Sequence, residues 1–420
     1  NVAGFDFSVL GTTTIGTGTS GVLNITAAAG TKTFGGLLSV AALASWNNSG
    51  DSPVTFQGGI SKNVTGTFAT GSGIQTFDTN SQALTGTFSI PHLTVTGASV
   101  FLTNNNILTI GTSLTGTGGL IQARGATLNL GGPSTISSLS AINIGNTVSY
   151  TGAGQTIFPT TYINLTNNQS GGAALLGDET IVNGVLTLTA GNLDLDVYHL
   201  VLGPTASISG GAPTRIIIAS GGGEVRKRFT TLGSFIFPIG DDIGTVEYSP
   251  ITVNVTGGTG FSSAYVGVSV INAKHPSNFS NTDFLSRYWN VTQSGIANCV
   301  ATIDGTYLDP ADINGSEANI AAAQLTGTFN QTTNPWAKFS AIGSNTLNVT
   351  GATIAAGQTS TFTGITSANP TVNITGGDVS ICNGSSVVIT ANATGDAPLT
   401  FAWSPTAGLS SSTVANPTAS

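Results

Sequence analysis

The feature that most constrains the fold is a short apolar–x–apolar triplet that recurs along the first half of the chain. Nine copies occupy residues 23–25, 38–40, 93–95, 108–110, 128–130, 142–144, 163–165, 186–188 and 200–202, and eight of their central residues are Ser, Thr or Asn. This period of two predicts β-strands with one buried and one wet face. Apart from one long gap after Val40, successive triplets lie 14 to 23 residues apart. Such spacing is typical of a solenoid, in which each coil buries its apolar face on its neighbours.

The composition favours a folded, all-β protein. Charged residues make up only 7% of the 420 residues, so Thr, Ser, Asn and the 57 glycines must form the surface. Disordered chains combine low hydrophobicity with high net charge, whereas 39% of this chain is hydrophobic. Gly-rich segments such as Gly116-Thr117-Gly118-Gly119 separate the predicted strands and permit tight corners.

We predict three domains. Residues 1–224 form a parallel β-helix of about ten coils, on the order of 50 Å long, with a long irregular β-sandwich as the alternative. The amino-acid composition changes at Gly221-Gly222-Gly223-Glu224, after which charged and aromatic residues become more frequent. Residues 225–368 are predicted to form an antiparallel β-sandwich.

Residues 369–420 are predicted to be part of an immunoglobulin-like domain. Its strands would be residues 371–375, 386–390 and 399–403, with Trp403 in the core. Such a domain needs about 80 to 100 residues, so we expect it to continue beyond Ser420, or else a partner to supply the missing strands. The sequence contains no methionine, and we expect it to be a mature form or an internal piece.

Several motifs of the second half carry a resemblance to a known family. They are Gly233-Ser234-Phe235-Ile236-Phe237-Pro238-Ile239-Gly240-Asp241, Glu247-Tyr248-Ser249-Pro250, Lys274-His275-Pro276, Leu285-Ser286-Arg287-Tyr288-Trp289-Asn290-Val291, Ile381-Cys382-Asn383-Gly384-Ser385-Ser386 and Trp403-Ser404-Pro405. Residues 180–420 resemble the large repeat surface proteins that Bacteroidota export by the type IX secretion route, and the last two motifs resemble their PKD/Ig-like repeats. The resemblance implies export and display and leaves the ligand open, since adhesins, filaments and enzyme-linked modules all occur in the family. It also implies a mate for Cys382 near the domain's end, which is absent before Ser420.

The charge pattern excludes some partners. Ten basic residues and a net charge of −8 do not provide the clustered cations of a nucleic-acid interface. The one basic run, Arg226-Lys227-Arg228, is interpreted as a solvated strand face. No apolar run approaches the roughly 18 residues that a membrane helix needs. The two cysteines, Cys299 and Cys382, fit an extracellular protein that relies on strand pairing.

One acidic cluster is a candidate calcium site. Calcium prefers oxygen ligands from loops, and the candidate ligands are Asp309, Asp312, Asn314 and Glu317. Their spacing does not match an EF-hand loop, so an ordinary polar turn is the alternative. No other cofactor is predicted. Asp194 and Asp196, close to His199, could bind a metal or act as acid and base, but a solvated face is the simpler interpretation.

We expect a non-enzymatic role. The predicted β-helix offers Arg124 but no acidic residue between Asp78 and Asp178, whereas lyases and hydrolases need clustered carboxylates. We therefore expect an extracellular or cell-surface structural and adhesive segment, assembled as a homo-oligomer or filament and contacting surface glycans or other cells. The alternatives are a carbohydrate-binding accessory module of a polysaccharide-degrading enzyme and, third, an enzyme. Thr-Gly-Thr segments raise ice binding as a minor hypothesis, but their starts do not follow a coil period.

Overall fold

The computed structural model describes residues 1–17, 20–368, 371–376, 379–394 and 399–420. Within these ranges the chain is 51% strand and contains no α-helix, which confirms the all-β prediction. The chain divides into two compact units. Unit 1 comprises Asn1–Pro250, Gly260–Val270 and Gln293–Ala297, and unit 2 comprises Ile251–Thr259, Ile271–Thr292 and Asn298–Ser420.

Most strands are three to five residues long. Those of residues 1–140 are β1 (Phe7–Val9), β2 (Thr13–Ile15), β3 (Val22–Ile25), β4 (Lys32–Phe34), β5 (Leu38–Val40), β6 (Ser45–Asn48), β7 (Val54–Phe56), β8 (Ile60–Lys62), β9 (Thr67–Ala69), β10 (Gln75–Phe77), β11 (Gln82–Thr85), β12 (Thr87–Val95), β13 (Phe101–Asn104), β14 (Ile107–Gln122), β15 (Thr127–Leu130) and β16 (Ser134–Ser140). Those of residues 141–250 are β17 (Thr147–Tyr150), β18 (Thr156–Ile157), β19 (Thr161–Tyr162), β20 (Asn164–Asn168), β21 (Ala174–Leu176), β22 (Thr180–Val182), β23 (Val185–Ala190), β24 (Leu193–Asp194), β25 (Leu200–Leu202), β26 (Ser207–Ser209), β27 (Ile217–Ile218), β28 (Val225–Arg228), β29 (Gly233–Phe237), β30 (Ile239–Asp241) and β31 (Glu247–Tyr248). The remainder are β32 (Ile251–Thr259), β33 (Tyr265–Ile271), β34 (Phe284–Leu285), β35 (Tyr288–Ser294), β36 (Ala297–Thr306), β37 (Ile313–Asn314), β38 (Ile320–Thr326), β39 (Ala337–Ala341), β40 (Thr346–Thr353), β41 (Ser360–Thr366), β42 (Thr371–Thr375), β43 (Val387–Val388), β44 (Thr390–Thr394) and β45 (Thr418–Ala419), with one 3₁₀ turn at Glu317–Asn319.

Unit 1 contains a parallel β-solenoid of about 11 turns, which confirms the predicted β-helix. Its strands form three parallel stacks. Face A begins with β1, β4, β7 and β10. Face B includes β2, β5, β8, β11 and β13 and, in the last turns, β19, β22, β25 and β28. Face C includes β15, β17, β20, β23 and β26. Parallel pairing therefore continues past Glu224, and β28 then pairs antiparallel with β33.

The solenoid core is built from inward-facing side chains that stack turn upon turn. In the first turns this stack is aromatic. The ring of Phe56 lies 5.8 Å from that of Phe34 and 5.2 Å from that of Phe77, both in stacked geometry. Trp46 stacks on Phe68 at 5.3 Å. Later turns replace the rings with buried aliphatic side chains, among them Leu108, Leu128, Val148, Leu165 and Leu186. The ladder explains the recurring triplet, because a triplet that lies in a strand points its two apolar residues towards the core.

Glycine is required at corners where successive turns almost touch. A Cβ on Gly132 would lie 1.7 Å from the backbone oxygen of Thr112 in the previous turn. Gly116 has a φ of +117°, and a Cβ there would lie 2.0 Å from the backbone oxygen of Val95. The glycine content of the sequence therefore reflects close backbone approach as well as turn geometry.

One triplet was predicted wrongly as a strand. Ile142-Asn143-Ile144 lies in the turn between β16 and β17, and its isoleucines are 59% and 71% exposed. The Asn143 side chain donates a hydrogen bond to the Gln122 backbone oxygen at 2.7 Å, and the Asn146 N–H donates to the Asn143 carbonyl. An asparagine that caps backbone groups favours a corner over a strand.

Unit 2 is built from antiparallel strand pairs. One group is formed by β35, β41, β38 and β39, and a second pairs β36 with β40. Buried side chains of this unit include Trp289, Val291, Ile303, Leu347 and Phe362. Both cysteines are free thiols; Cys299 is buried, which raises its pKa to about 11, and Cys382 is exposed.

The C-terminal segment pairs β42 with β44 and β43 with β45, all antiparallel. The predicted strand at 371–375 is confirmed as β42. Of the predicted 386–390 strand, Val387–Val388 forms β43 and Thr390 begins β44. The prediction of a strand at 399–403 is wrong, since no strand is assigned there. Instead Trp403 donates from its backbone to Ser412 and from its indole to Val414. The predicted domain boundary, Asn369-Pro370, lies outside the described residues.

Candidate functional site

The outward surface of face A carries a column of hydroxyl side chains. Residues in register on successive turns are Ser8, Thr33, Thr55, Thr76, Thr94, Thr115 and Thr135. The hydroxyls of Thr94 and Thr115 are 2.8 Å apart and hydrogen-bonded. Sequence reasoning missed this column because its members are 18 to 25 residues apart, so no fixed period reveals it. Of the Thr-Gly-Thr starts, only Thr115 belongs to it.

Face C carries a second uncharged column. It consists of Ser89, Thr109, Asn129, Ser149, Thr166, Thr187 and Ser209, again in register on successive turns. The Asn129 amide donates to the Thr109 hydroxyl at 3.2 Å. These columns provide hydroxyl and amide groups at the strand spacing of about 4.8 Å without any ionic group. Such a surface can lie against another surface with little charge to desolvate.

Two lysines of unit 1 are buried and bind backbone carbonyls. Lys32 donates to Ala29 and Gly30. Lys227 donates to the carbonyls of Gly203, Pro204 and Ala206 at 2.6 to 2.8 Å. Burial lowers the pKa of Lys227 to about 8. The interpretation of the basic run as a solvated face is therefore wrong for Lys227. Successive side chains of a strand alternate between its two faces, so Lys227 points inward while its neighbours in β28 point outward.

Two buried tyrosines form a closed hydrogen-bond circuit. The hydroxyls of Tyr150 and Tyr162 are 2.9 Å apart. The Phe158 N–H donates to Tyr150 Oη at 2.9 Å, and Tyr162 Oη donates to the Phe158 carbonyl at 2.6 Å. Burial raises the pKa of Tyr150 to about 12. The circuit satisfies both backbone groups of Phe158 and serves the packing of the corner.

The last turns of face B gather ionisable side chains, which are sparse in the earlier turns of the solenoid. Glu179, His199 and Glu224 occupy one column, directly before the paired strands β22, β25 and β28. Arg226 pairs with Glu224 at 2.8 Å. The Glu224 N–H donates to His199 Nδ1 at 3.1 Å, and burial together with Arg226 lowers the pKa of His199. The sequence signal for this cluster was the basic run together with Glu224.

The predicted calcium ligands are close in sequence but have separate roles in unit 2. Asp312 is buried, and its Oδ2 accepts from Arg287 Nε at 2.7 Å and from the Leu308 N–H at 2.8 Å. Glu317 accepts a hydrogen bond from the Tyr307 hydroxyl. Asp309 and Asn314 are exposed. Across the described ranges, no group of three or more His, Cys, Asp or Glu side chains is arranged to hold a metal ion. The calcium site stays a prediction.

The second acidic pair forms a local turn. The Asp196 N–H donates to Asp194 Oδ1 at 2.9 Å, and Asp196 has a φ of 49°. Burial raises the pKa of Asp194. His199, the third member of the predicted cluster, has its Nδ1 occupied by Glu224 instead.

Unit 2 contains an aromatic cleft of about 630 Å³. Its lining includes Phe279, Phe329 and Trp336. The rings of Phe279 and Phe329 lie 5.4 Å apart, and the Trp336 indole donates to the Ser277 carbonyl at 2.8 Å. Because the indole N–H is occupied, Trp336 offers a ligand its ring face.

Comparisons with known proteins do not place the chain in a family. No protein-family profile, no curated protein and no solved structure matches it. Within the part of the chain that the structure describes, no helix has the length and apolar character that crossing a membrane requires.

Proposed function

We propose that the chain is a non-enzymatic, extracellular structural and adhesive segment of a large bacterial cell-surface protein, and part of an oligomeric appendage or filament. The observation that carries this proposal is the solenoid of about 11 turns with uncharged hydroxyl columns on its outer faces. A continuous backbone hydrogen-bond ladder makes such a stack stiff. Its outer faces offer an extended surface for contacts between copies or with other cells.

The low charge of the solenoid's outer faces favours assembly. Lateral packing of two faces costs little where few ions must lose water, and faces A and C present Ser, Thr and Asn columns. Contacts that are not closed by symmetry propagate into a filament.

The finer architecture belongs to the same proposal. For residues 225–368, apart from β28 and β30, which pair in parallel with the solenoid, we propose an antiparallel β-sandwich. In unit 2, a Cβ built on Gly305 of β36 would lie 3.3 Å from ring atoms of Trp289 in β35, as expected where two sheets face each other. For residues 369–420 we propose part of a PKD/Ig-like domain, on the motifs around Cys382 and Trp403. Export by the type IX route of Bacteroidota is proposed on the sequence motifs alone.

The test is immunogold electron microscopy of intact producing cells, with antibody raised against residues 1–224 and pre-immune serum as the control. Gold along projecting fibres or appendages is the expected result. Antigen that is absent from cells and present in the medium as a monomer would overturn the proposal.

A carbohydrate-binding accessory module is the second candidate, and the aromatic cleft of unit 2 favours it. Ring faces such as that of Trp336 can pack against the apolar face of a sugar. Replacing Trp336 by alanine should then abolish binding of the full chain to a neutral polysaccharide. The same replacement of the buried Trp289 would be uninformative, because it removes core packing.

A further inference from the structure

From the last turns of face B, we infer a binding site for a uronic acid unit of an acidic polysaccharide, formed by Arg228, Tyr265, Ser263, Val201 and Glu179. These residues and Arg226 line a concavity of about 310 Å³ in unit 1. This inference names a ligand class for the adhesive role and therefore rests on the proposed function.

Two arginines are held on one side of the sheet. Arg226 and Arg228 are two residues apart in β28, so both point outward while Val225 and Lys227 are buried. The Arg226 guanidinium is fixed by Glu224 at 2.8 Å and lies 4.9 Å from the centre of the Tyr265 ring. Among the described residues, Arg228 has no ion pair or hydrogen bond from its guanidinium. Its planar fork is free to bind a carboxylate with two parallel hydrogen bonds.

The remaining walls select the kind of anion. Tyr265 is paired directly with Arg228 across β28 and β33, and Val201 is paired with Arg226 across β25 and β28. They supply an apolar wall beside the guanidinium. Glu179 adds a carboxylate that accepts hydroxyl hydrogens and repels a simple anion.

A ligand must therefore carry an anionic group for Arg228 and hydroxyl donors for Glu179. A uronate ring has both and also an apolar C–H face. A neutral sugar leaves Arg228 without a partner, and inorganic phosphate meets the charge of Glu179 without offering a hydroxyl-bearing ring. A competing ligand usually binds more weakly because it leaves a polar group of the site without a partner.

The experiment uses the full chain and isothermal titration with three probes: an oligogalacturonate, a neutral galactose oligomer of the same length and inorganic phosphate. We expect the oligogalacturonate alone to bind, and more weakly as salt is raised. R228Q should lower its affinity about tenfold or more, because a charged hydrogen-bonding pair is lost. R228K keeps the charge but loses the planar fork, so its affinity should fall between those of R228Q and the unmodified chain.

The matched control is R124Q, which removes the same charge from an exposed arginine on an earlier turn. It should bind like the unmodified chain. The inference is overturned if the oligogalacturonate does not bind, if the neutral or phosphate probe binds as tightly, or if R124Q loses as much affinity as R228Q. Circular dichroism of each variant checks the fold. Gold-labelled fibres together with absent binding would overturn this inference and leave the proposed function standing.

Discussion

The buried pair Arg287–Asp312 gives the sharpest test of how unit 2 is stabilised. Both residues are at most 1% exposed, and the Arg287 Nε to Asp312 Oδ2 distance is 2.7 Å. Asp312→Asn keeps the size and one acceptor but leaves the guanidinium buried beside a neutral amide. Removing one partner of a buried pair costs about 3–5 kcal/mol, so we expect D312N to lower the free energy of unfolding of unit 2 by that amount.

Asp309→Asn is the matched control. It removes the same charge from an exposed side chain three residues before Asp312. Substitutions of exposed residues usually change stability by less than about 0.5 kcal/mol. The double variant R287M/D312L replaces both charges with apolar groups and should be more stable than D312N alone, since no uncompensated ion remains. Native-state hydrogen exchange in urea, read from peptides spanning residues 285–292, reports unit 2 separately from the solenoid.

The same measurement separates the pair from the calcium hypothesis. Asp312 Oδ2 already accepts two hydrogen bonds, so millimolar calcium should not raise the protection of these peptides over EDTA. A calcium-dependent gain that both D309N and D312N abolish would support the calcium site. A D312N effect within about 1 kcal/mol of D309N would refute the reasoning from the buried pair.

Three further predictions concern unit 1. Tyr162→Phe and Tyr150→Phe should each lower the free energy of unfolding by about 1–3 kcal/mol, because a partly buried backbone group of Phe158 loses its partner. In denaturant melts the effects of the two substitutions should be non-additive in the double variant, and Y198F should leave stability unchanged. Burial lowers the pKa of Lys227 to about 8, so the folded state holds fewer protons than the unfolded state above that pH, and the thermal midpoint should rise from pH 8 towards 10 relative to K227M. A midpoint that runs parallel to that of K227M would contradict this. G132A should cost about 1–3 kcal/mol or more through its clash with Thr112, whereas G11A, with no atom within 4 Å of the added Cβ, should be neutral in the same melts.

The solenoid could be predicted from the sequence because it follows from local rules. Alternation in triplets such as Leu128-Asn129-Leu130 indicates one buried face, and the near absence of charge removes most alternatives. The same rules fail at Ile142-Asn143-Ile144, where identical alternation forms a corner. What decides there is the bond from Asn143 to Gln122 in the preceding turn, a contact between residues 21 positions apart that no local pattern contains.

The candidate sites were harder to predict because they depend on register. Acidic residues near 309–317 suggested one cluster, yet Asp312 is neutralised by Arg287, which lies 25 residues earlier and directly before β35. Lys227 was expected in solvent with its neighbours, but strand alternation turns it inward onto the carbonyls of residues 203–206. In both cases the sequence shows the residue type, but its hydrogen-bond partners lie elsewhere in the chain and become known only from the structure.

In the threonine column of face A, residue type and register stay the same although the length of the turns varies. Partners in adjacent turns are separated by as few as 17 and as many as 25 residues, and yet six successive positions of face A are threonine. The corners therefore absorb the length differences while the strands stay in register. If hydroxyls only wetted the sheet, Ser, Asn and Thr would serve equally, as they do on face C. A β-branched residue, whose χ1 angle is restricted, instead gives a stiffer and more uniform strip of hydroxyls. Ionisable side chains are concentrated in the last turns, where Arg228 and Glu179 lie, so the hydroxyl columns and the proposed ligand site can be changed by separate substitutions.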